Sequence, residues 1–187
     1  MCSTSPQRKR RPLRAIGLQR VRALWAWNPP SPLSGPLLSM YIPRVYGTMW
    51  NILFVCVENA CRSQMAEAWA RHLGQGRVRA WSAGSHPAKT INPYVRLVMR
   101  ERGIELRGAA PKGFDVLPEM VWDAVVTMGC GEECPWIPAR IHVRWEIPDP
   151  KGRSIEVFRR VRDEIEHRVR ELLEMLDSAQ AEEQPAL

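Results

Sequence analysis

The chain has 187 residues, 45% hydrophobic and 25% charged, enough to bury one core of ordinary size, and it contains no 18-residue apolar run that could cross a membrane. Its formal charge of +7 is unevenly spread: residues 1–48 hold eight of the 27 basic residues and no acid, leaving 19 basic residues against 20 acidic ones in the remainder. The basic character therefore belongs to the leader and gives no reason to class the folded part with nucleic-acid binders.

Residues 1–48 also hold seven of the sixteen prolines, including Pro29-Pro30-Ser31-Pro32, and show no sustained period of 2 or 3.6. This composition predicts a disordered basic leader. Arg10-Arg11 hints at an export signal, but Arg20 and Arg22 interrupt the only candidate apolar stretch. A tail that touches anionic surfaces is one alternative; a dispensable or mis-assigned start is favoured, because Met49 stands directly before the first strand.

Residues 51–55 (Asn-Ile-Leu-Phe-Val) are β-branched and aromatic enough for a buried strand, and residues 64–73 place Met65, Ala68, Trp69 and Leu73 on one helical stripe. Between them runs Cys56-Val57-Glu58-Asn59-Ala60-Cys61-Arg62-Ser63. In a strand-loop-helix arrangement the backbone N–H groups of residues 57–63 converge at the positive end of the helix dipole, and Arg62 adds a planar fork for two oxygens of a tetrahedral oxyanion. The same field favours the thiolate of Cys56, giving the loop its own nucleophile. Asn59 suits a left-handed position in a tight turn. Ser63 suits the helix N-cap, from which its hydroxyl can also stabilise the thiolate.

Further along, residues 78–82 read as a second strand, and Asn92-Pro93 as a cap and first helical position opening a helix that stops at Gly103. Residues 122–128 form the third strand, 141–147 the fourth, and 154–177 a long helix with Phe158, Val161, Ile165, Val169, Leu172 and Leu176 inward. This alternation predicts a three-layer α/β domain over residues 49–178 with a four-stranded parallel sheet of order 2-1-3-4, flavodoxin-like, followed by a disordered tail at 179–187. The ligand site of such a sheet lies beyond the carboxyl ends of its strands.

Of the five cysteines, Cys2 lies in the leader, while Cys130 and Cys134 frame a three-residue gap after the third strand. Zinc binding with Cys56 and Cys61 is one reading, but the usual paired two-residue spacings are absent; buried structural cysteines are another. A redox role is favoured, because the end of the third strand lies beside the end of the first, near Cys56.

The segment from Val55 through Glu67 resembles the active-site loop of arsenate reductases built on the low-molecular-weight protein tyrosine phosphatase fold. Trp81-Ser82-Ala83-Gly84 resembles the second strand of that family and its exit, and Val125-Val126-Thr127-Met128 with Cys130 and Cys134-Pro135 its third strand and redox segment. Asp149-Pro150-Lys151-Gly152 resembles the general-acid loop, and residues 158–165 the start of the last helix, so the resemblance spans residues 51–176. It implies a cytoplasmic, monomeric enzyme with no bound cofactor. Cys56 would attack arsenate, residues 57–63 would bind the oxyanion with Arg62, and Asp149 would be the acid. Cys130 and Cys134 would carry a disulfide relay emptied by thioredoxin or a mycothiol-type thiol.

Three departures stand out. Gly129 separates Met128 from Cys130, and only three residues separate the redox pair, so which thiol attacks first is open. Glu58 stands where the phosphatases usually carry Gly, so its side chain is expected to point outward. Asn59, Glu67 and Ser82 match the ligands of a potassium site found in some relatives, but the further acid falls near Lys112, whose ammonium would take the place of the cation. The competing activity is protein tyrosine phosphatase, which needs the same Cys56, Arg62 and Asp149. Lys151-Gly152 lines a phosphotyrosine slot poorly, and a redox pair has no role in ester hydrolysis. An inactive oxyanion- or arsenite-sensing module is a third reading.

Overall fold

The computed structural model describes residues 49–129 and 134–183. The expected leader at 1–48, Cys130, and residues 184–187 of the expected tail lie outside this range. The elements run β1 (Trp50–Cys56), α1 (Arg62–Gly74), β2 (Val78–Gly84), α2 (Pro93–Arg100), β3 (Trp122–Met128), β4 (Ala139–Arg144) and α3 (Ile155–Glu183). All four strands are parallel and lie in the order β2-β1-β3-β4, as the alternation of strands and helices predicts.

The period of 2 along β1 divides two cores. Ile52, Phe54 and Cys56 face a core shared with Met65 and Trp69 of α1, Val95, Val98 and Met99 of α2, and the inward stripe of α3. Leu53 and Val55 face the other way, onto Ala83, Trp122 and Val125, and that side is covered by Phe114, Leu117, Met120 and Ile137. Its regular structure is a short 3-10 turn at Phe114–Val116 that the sequence reading did not anticipate.

The Asn92 side chain accepts from Tyr94 N at 2.9 Å with Pro93 opening α2, as expected. α2 ends at Arg100, short of the expected stop at Gly103, and three further boundaries differ. β2 continues through Ala83 and Gly84, which pair with Val55 and Cys56. β4 spans Ala139–Arg144 where 141–147 was expected; Pro148 has no N–H for a ladder, and the chain leaves the sheet so that Ile147 can meet Arg62. The expected disordered tail is helical as far as Glu183, because Ala179, Gln180 and Ala181 are good helix formers that prolong α3 beyond residue 177. Among the described residues no helix is long and apolar enough to cross a membrane.

The register sets Cys56 beside Gly84 on one side and Met128 on the other. The end of β1 is thus the centre of the carboxyl edge of the sheet, flanked by both neighbouring strand ends.

Candidate active site

After Cys56 the chain makes a tight turn in which Asn59 takes the left-handed conformation, φ 50°. The carbonyls of Val57, Glu58 and Ala60 point outward and accept from His86 N, Ala88 N and Asn92 N at 2.9, 2.9 and 3.1 Å. In a trans peptide the N–H lies opposite the C=O, so the N–H groups of Glu58, Asn59 and Cys61 face the inside of the loop. Gly84 makes this path possible: a Cβ there would stand 2.5 Å from Val57 O and 2.8 Å from Asn59 N.

Asn59 is fully buried and all its side-chain polar atoms are engaged. Its Oδ1 accepts from Lys112 N at 2.8 Å and Gln64 Nε2 at 2.9 Å, while its Nδ2 donates to Ser63 Oγ at 2.8 Å. The Lys112 backbone donor identifies which end of the amide is oxygen, and so fixes the other end as donor to Ser63. The Ser63 hydroxyl hydrogen is then left for Cys56 Sγ, 3.0 Å away. Ser63 does not cap α1 as expected. The helix begins two residues earlier than a Ser63 cap would place it, at Arg62, with Cys61 at the cap position and no side-chain cap. Ser63 serves the thiol from inside the first turn.

Arg62 is buried, with Nη1 donating to Ile147 O at 3.0 Å and Nη2 to Asp149 Oδ2 at 2.7 Å. Its Nε is buried without a hydrogen-bond partner, a donor suited to an oxyanion held by the loop. Gly129 sits against the guanidinium in the left-handed region, φ 67°, and a Cβ there would come within 2.6 Å of Nη1. The extra residue between β3 and Cys130 thus lets the backbone pass beside Arg62. The other oxygen of Asp149, Oδ1, accepts from Lys151 N at 2.9 Å. Glu58 points outward, as expected, and forms an ion pair with Lys151. Burial, then the charges of Asp149 and Cys56, push the Cys61 thiol up to about 12, so it stays protonated at neutral pH.

Cys56, Arg62, Ser63, Asp149 and loop residues 57–61 are therefore brought together. Cys134 is not among them: it packs with Ile137 and Met120 on the second face of the sheet and is disulfide-bonded, whereas Cys56 and Cys61 are free thiols. Cys130 lies outside the described residues. Gln64 and Ile147 were missed by the sequence reading. Gln64 beside Met65 on a buried helix face carried a faint signal, and a backbone carbonyl carries none.

The potassium ligands do not fit a resident ion. Glu67 is bonded by Lys112 Nζ at 3.1 Å, Arg71 Nη2 at 2.6 Å and Ser82 Oγ at 2.5 Å, and Lys112 Nζ is 3.5 Å from Ser82 Oγ. With Asn59 Oδ1 already taken by Lys112 N and Gln64, the donor set is saturated by the chain's own cations and amides.

A thiol at a strand end, amides turned inward on a tight loop, an arginine opening the helix and a carboxylate across the cleft form a candidate cysteine-based oxyanion site on a parallel sheet. The chain belongs to the low molecular weight phosphotyrosine protein phosphatase family, whose sequence profile matches residues 51–182. It is 36% identical over 128 residues to the glutaredoxin arsenate reductase of Synechocystis sp., covering 67% of this chain and 97% of that protein. Among solved structures it is similar to an arsenate reductase in the phosphate-binding state (TM-score 0.62, 34% identity, 68% of this chain and 99% of that one). It is similar also to a Corynebacterium glutamicum thioredoxin-dependent arsenate reductase (TM-score 0.59, 35% identity, 72% of this chain and 65% of that one).

Proposed function

We propose that the chain is an arsenate reductase in which Cys56 attacks arsenic, and that the observation carrying this reading is the Cys56–Ser63–Asn59 chain beside the unpartnered Nε of Arg62. The loop amides and Arg62 neutralise the oxyanion, a sulfur–arsenic bond forms, and one oxygen departs with a proton from Asp149. Oxyanion binding supplies Arg62 with a second anion beside Asp149, which Nη2 already contacts.

A second thiolate, Cys130 or Cys134, then attacks the Cys56 sulfur. The sulfur–sulfur bond forms as the electron pair of the sulfur–arsenic bond passes to arsenic, which leaves as arsenite. The last thiol moves the disulfide onto the 130/134 pair, and an external dithiol or low-molecular-weight thiol reduces it. The names of the related proteins point to a thioredoxin- or glutaredoxin-type reductant.

Arsenite formation with a thioredoxin system, compared with glutaredoxin and with mycothiol, tests both the activity and the reductant. Absence of arsenite with all three would refute the reading. The family name and the shared Cys56, Arg62 and Asp149 favour phosphotyrosine phosphatase as the second reading. Rapid aryl phosphate hydrolysis without arsenite formation would select it.

A further inference from the structure

The nucleophile loop and the acid segment are joined twice. The inner join is Arg62 with Ile147 O and Asp149. The outer join is the ion pair of Lys151 Nζ with Glu58 Oε1, whose side chains are 59% and 35% exposed and so mark the rim of the site. Lys151 N also donates to Asp149 Oδ1, so the Lys151 side chain starts immediately outside the carboxylate and reaches across to the loop.

We infer that the Glu58–Lys151 bridge is a specificity element that closes the mouth of the oxyanion site and favours a free inorganic oxyanion over an esterified one. The inference rests on the reading of Cys56 as nucleophile and Asp149 as acid. In an in-line displacement the departing oxygen lies opposite Cys56 Sγ and against Asp149. In arsenate that oxygen carries at most a proton. In a phosphate monoester it carries the organic group, whose path outward past Asp149 is the line that Lys151 and Glu58 span. An ester must part the pair, and an inorganic oxyanion need not.

Binding of two non-reacting ligands, inorganic phosphate and phenylphosphonate, tests this by calorimetry without requiring turnover. The double replacement Glu58→Ala with Lys151→Ala removes the bridge at constant net charge. It should shift the ratio of the two dissociation constants about fivefold towards phenylphosphonate, the upper range for an exposed pair. The charge swap Glu58→Lys with Lys151→Glu rebuilds the bridge and should restore the wild-type ratio. An unchanged ratio in the double-alanine variant, or a swap that behaves like it, overturns the inference. Failure of the arsenate reading would show separately, as a wild-type protein that makes no arsenite.

Discussion

Arg62 Nη2 stands 2.7 Å from Asp149 Oδ2, so the residue proposed to grip the oxyanion also holds the proposed acid across the cleft. Asp149 is about half exposed and Arg62 is buried, which makes the arginine the fixed partner and the carboxylate the one that can exchange its contact for solvent or substrate. Replacing Arg62 with Lys loses the planar fork, the unpartnered Nε and one of the two contacts to residues 147 and 149 together. Arsenate kcat/KM should fall about 10²- to 10³-fold, the usual cost of an oxyanion donor. Steady-state kinetics with phosphate as competing ligand should show weaker phosphate inhibition; unchanged inhibition would remove Arg62 from the oxyanion site.

Gly129 has two reasons to be glycine: φ 67° and a virtual Cβ 2.6 Å from Arg62 Nη1. Gly129→Ala should cost about 1 kcal/mol from the backbone conformation alone. It should also weaken phosphate binding about tenfold, because the guanidinium must shift. Thermal unfolding and calorimetry separate the two effects. Lower stability with unchanged phosphate affinity would leave Gly129 a turn residue and nothing more.

The sheet order, the nucleophile loop and Arg62 were legible because each rests on local pattern, an apolar strand and a five-residue Cys-to-Arg spacing, whereas Asp149 entered through the resemblance of its segment to the general-acid loop of the family. What was not legible depends on backbone that meets only in the fold. The Lys112 N–H that orients Asn59 comes from 53 residues away, and Ile147 O reaches Arg62 across 85. Ser63 was misplaced at the helix cap because serine there has a strong local preference, overridden by its bonds to Cys56 and Asn59.

Ser63→Ala removes the hydroxyl bonded to Cys56 and leaves Asn59 Nδ2 without its Ser63 acceptor. Iodoacetamide should label Cys56 more slowly at neutral pH in this variant, with mass spectrometry assigning the site. Cys61, pushed up to about 12, should resist labelling in the wild type until strongly alkaline pH. Equal labelling of both cysteines at pH 7 would contradict the assignment of Cys56 as the loop's reactive thiol.

Arg162, buried between α2 and α3, donates to Val98 O at 2.9 Å, to Glu101 at 2.9 Å and to Asp163 at 2.8 Å. Hydrogen bonding from Arg162 to Asp163, and chiefly from Arg159 to Glu101, holds both carboxyls below their ordinary values near 3.8 and 4.5. Depressed folded-state values mean that this stabilisation is full above those ordinary values and is lost as pH falls below them through the lowered ones. Urea unfolding should show lower stability at pH 3 than at pH 7, and Arg162→Met should shrink that difference while destabilising the protein at pH 7 by about 1–3 kcal/mol. A variant with the full wild-type pH dependence would show that Arg162 does not carry the network.

Single turnover of the fully reduced protein with arsenate, in the absence of any external thiol, tests the central claim most directly. The chain's own thiols must supply both electrons, so the wild type should release about one arsenite per chain, lose two thiols and yield a peptide map with Cys130 and Cys134 joined, while Cys56→Ser releases none. Arsenite from the Cys56→Ser protein, or none from the reduced wild type, would contradict it.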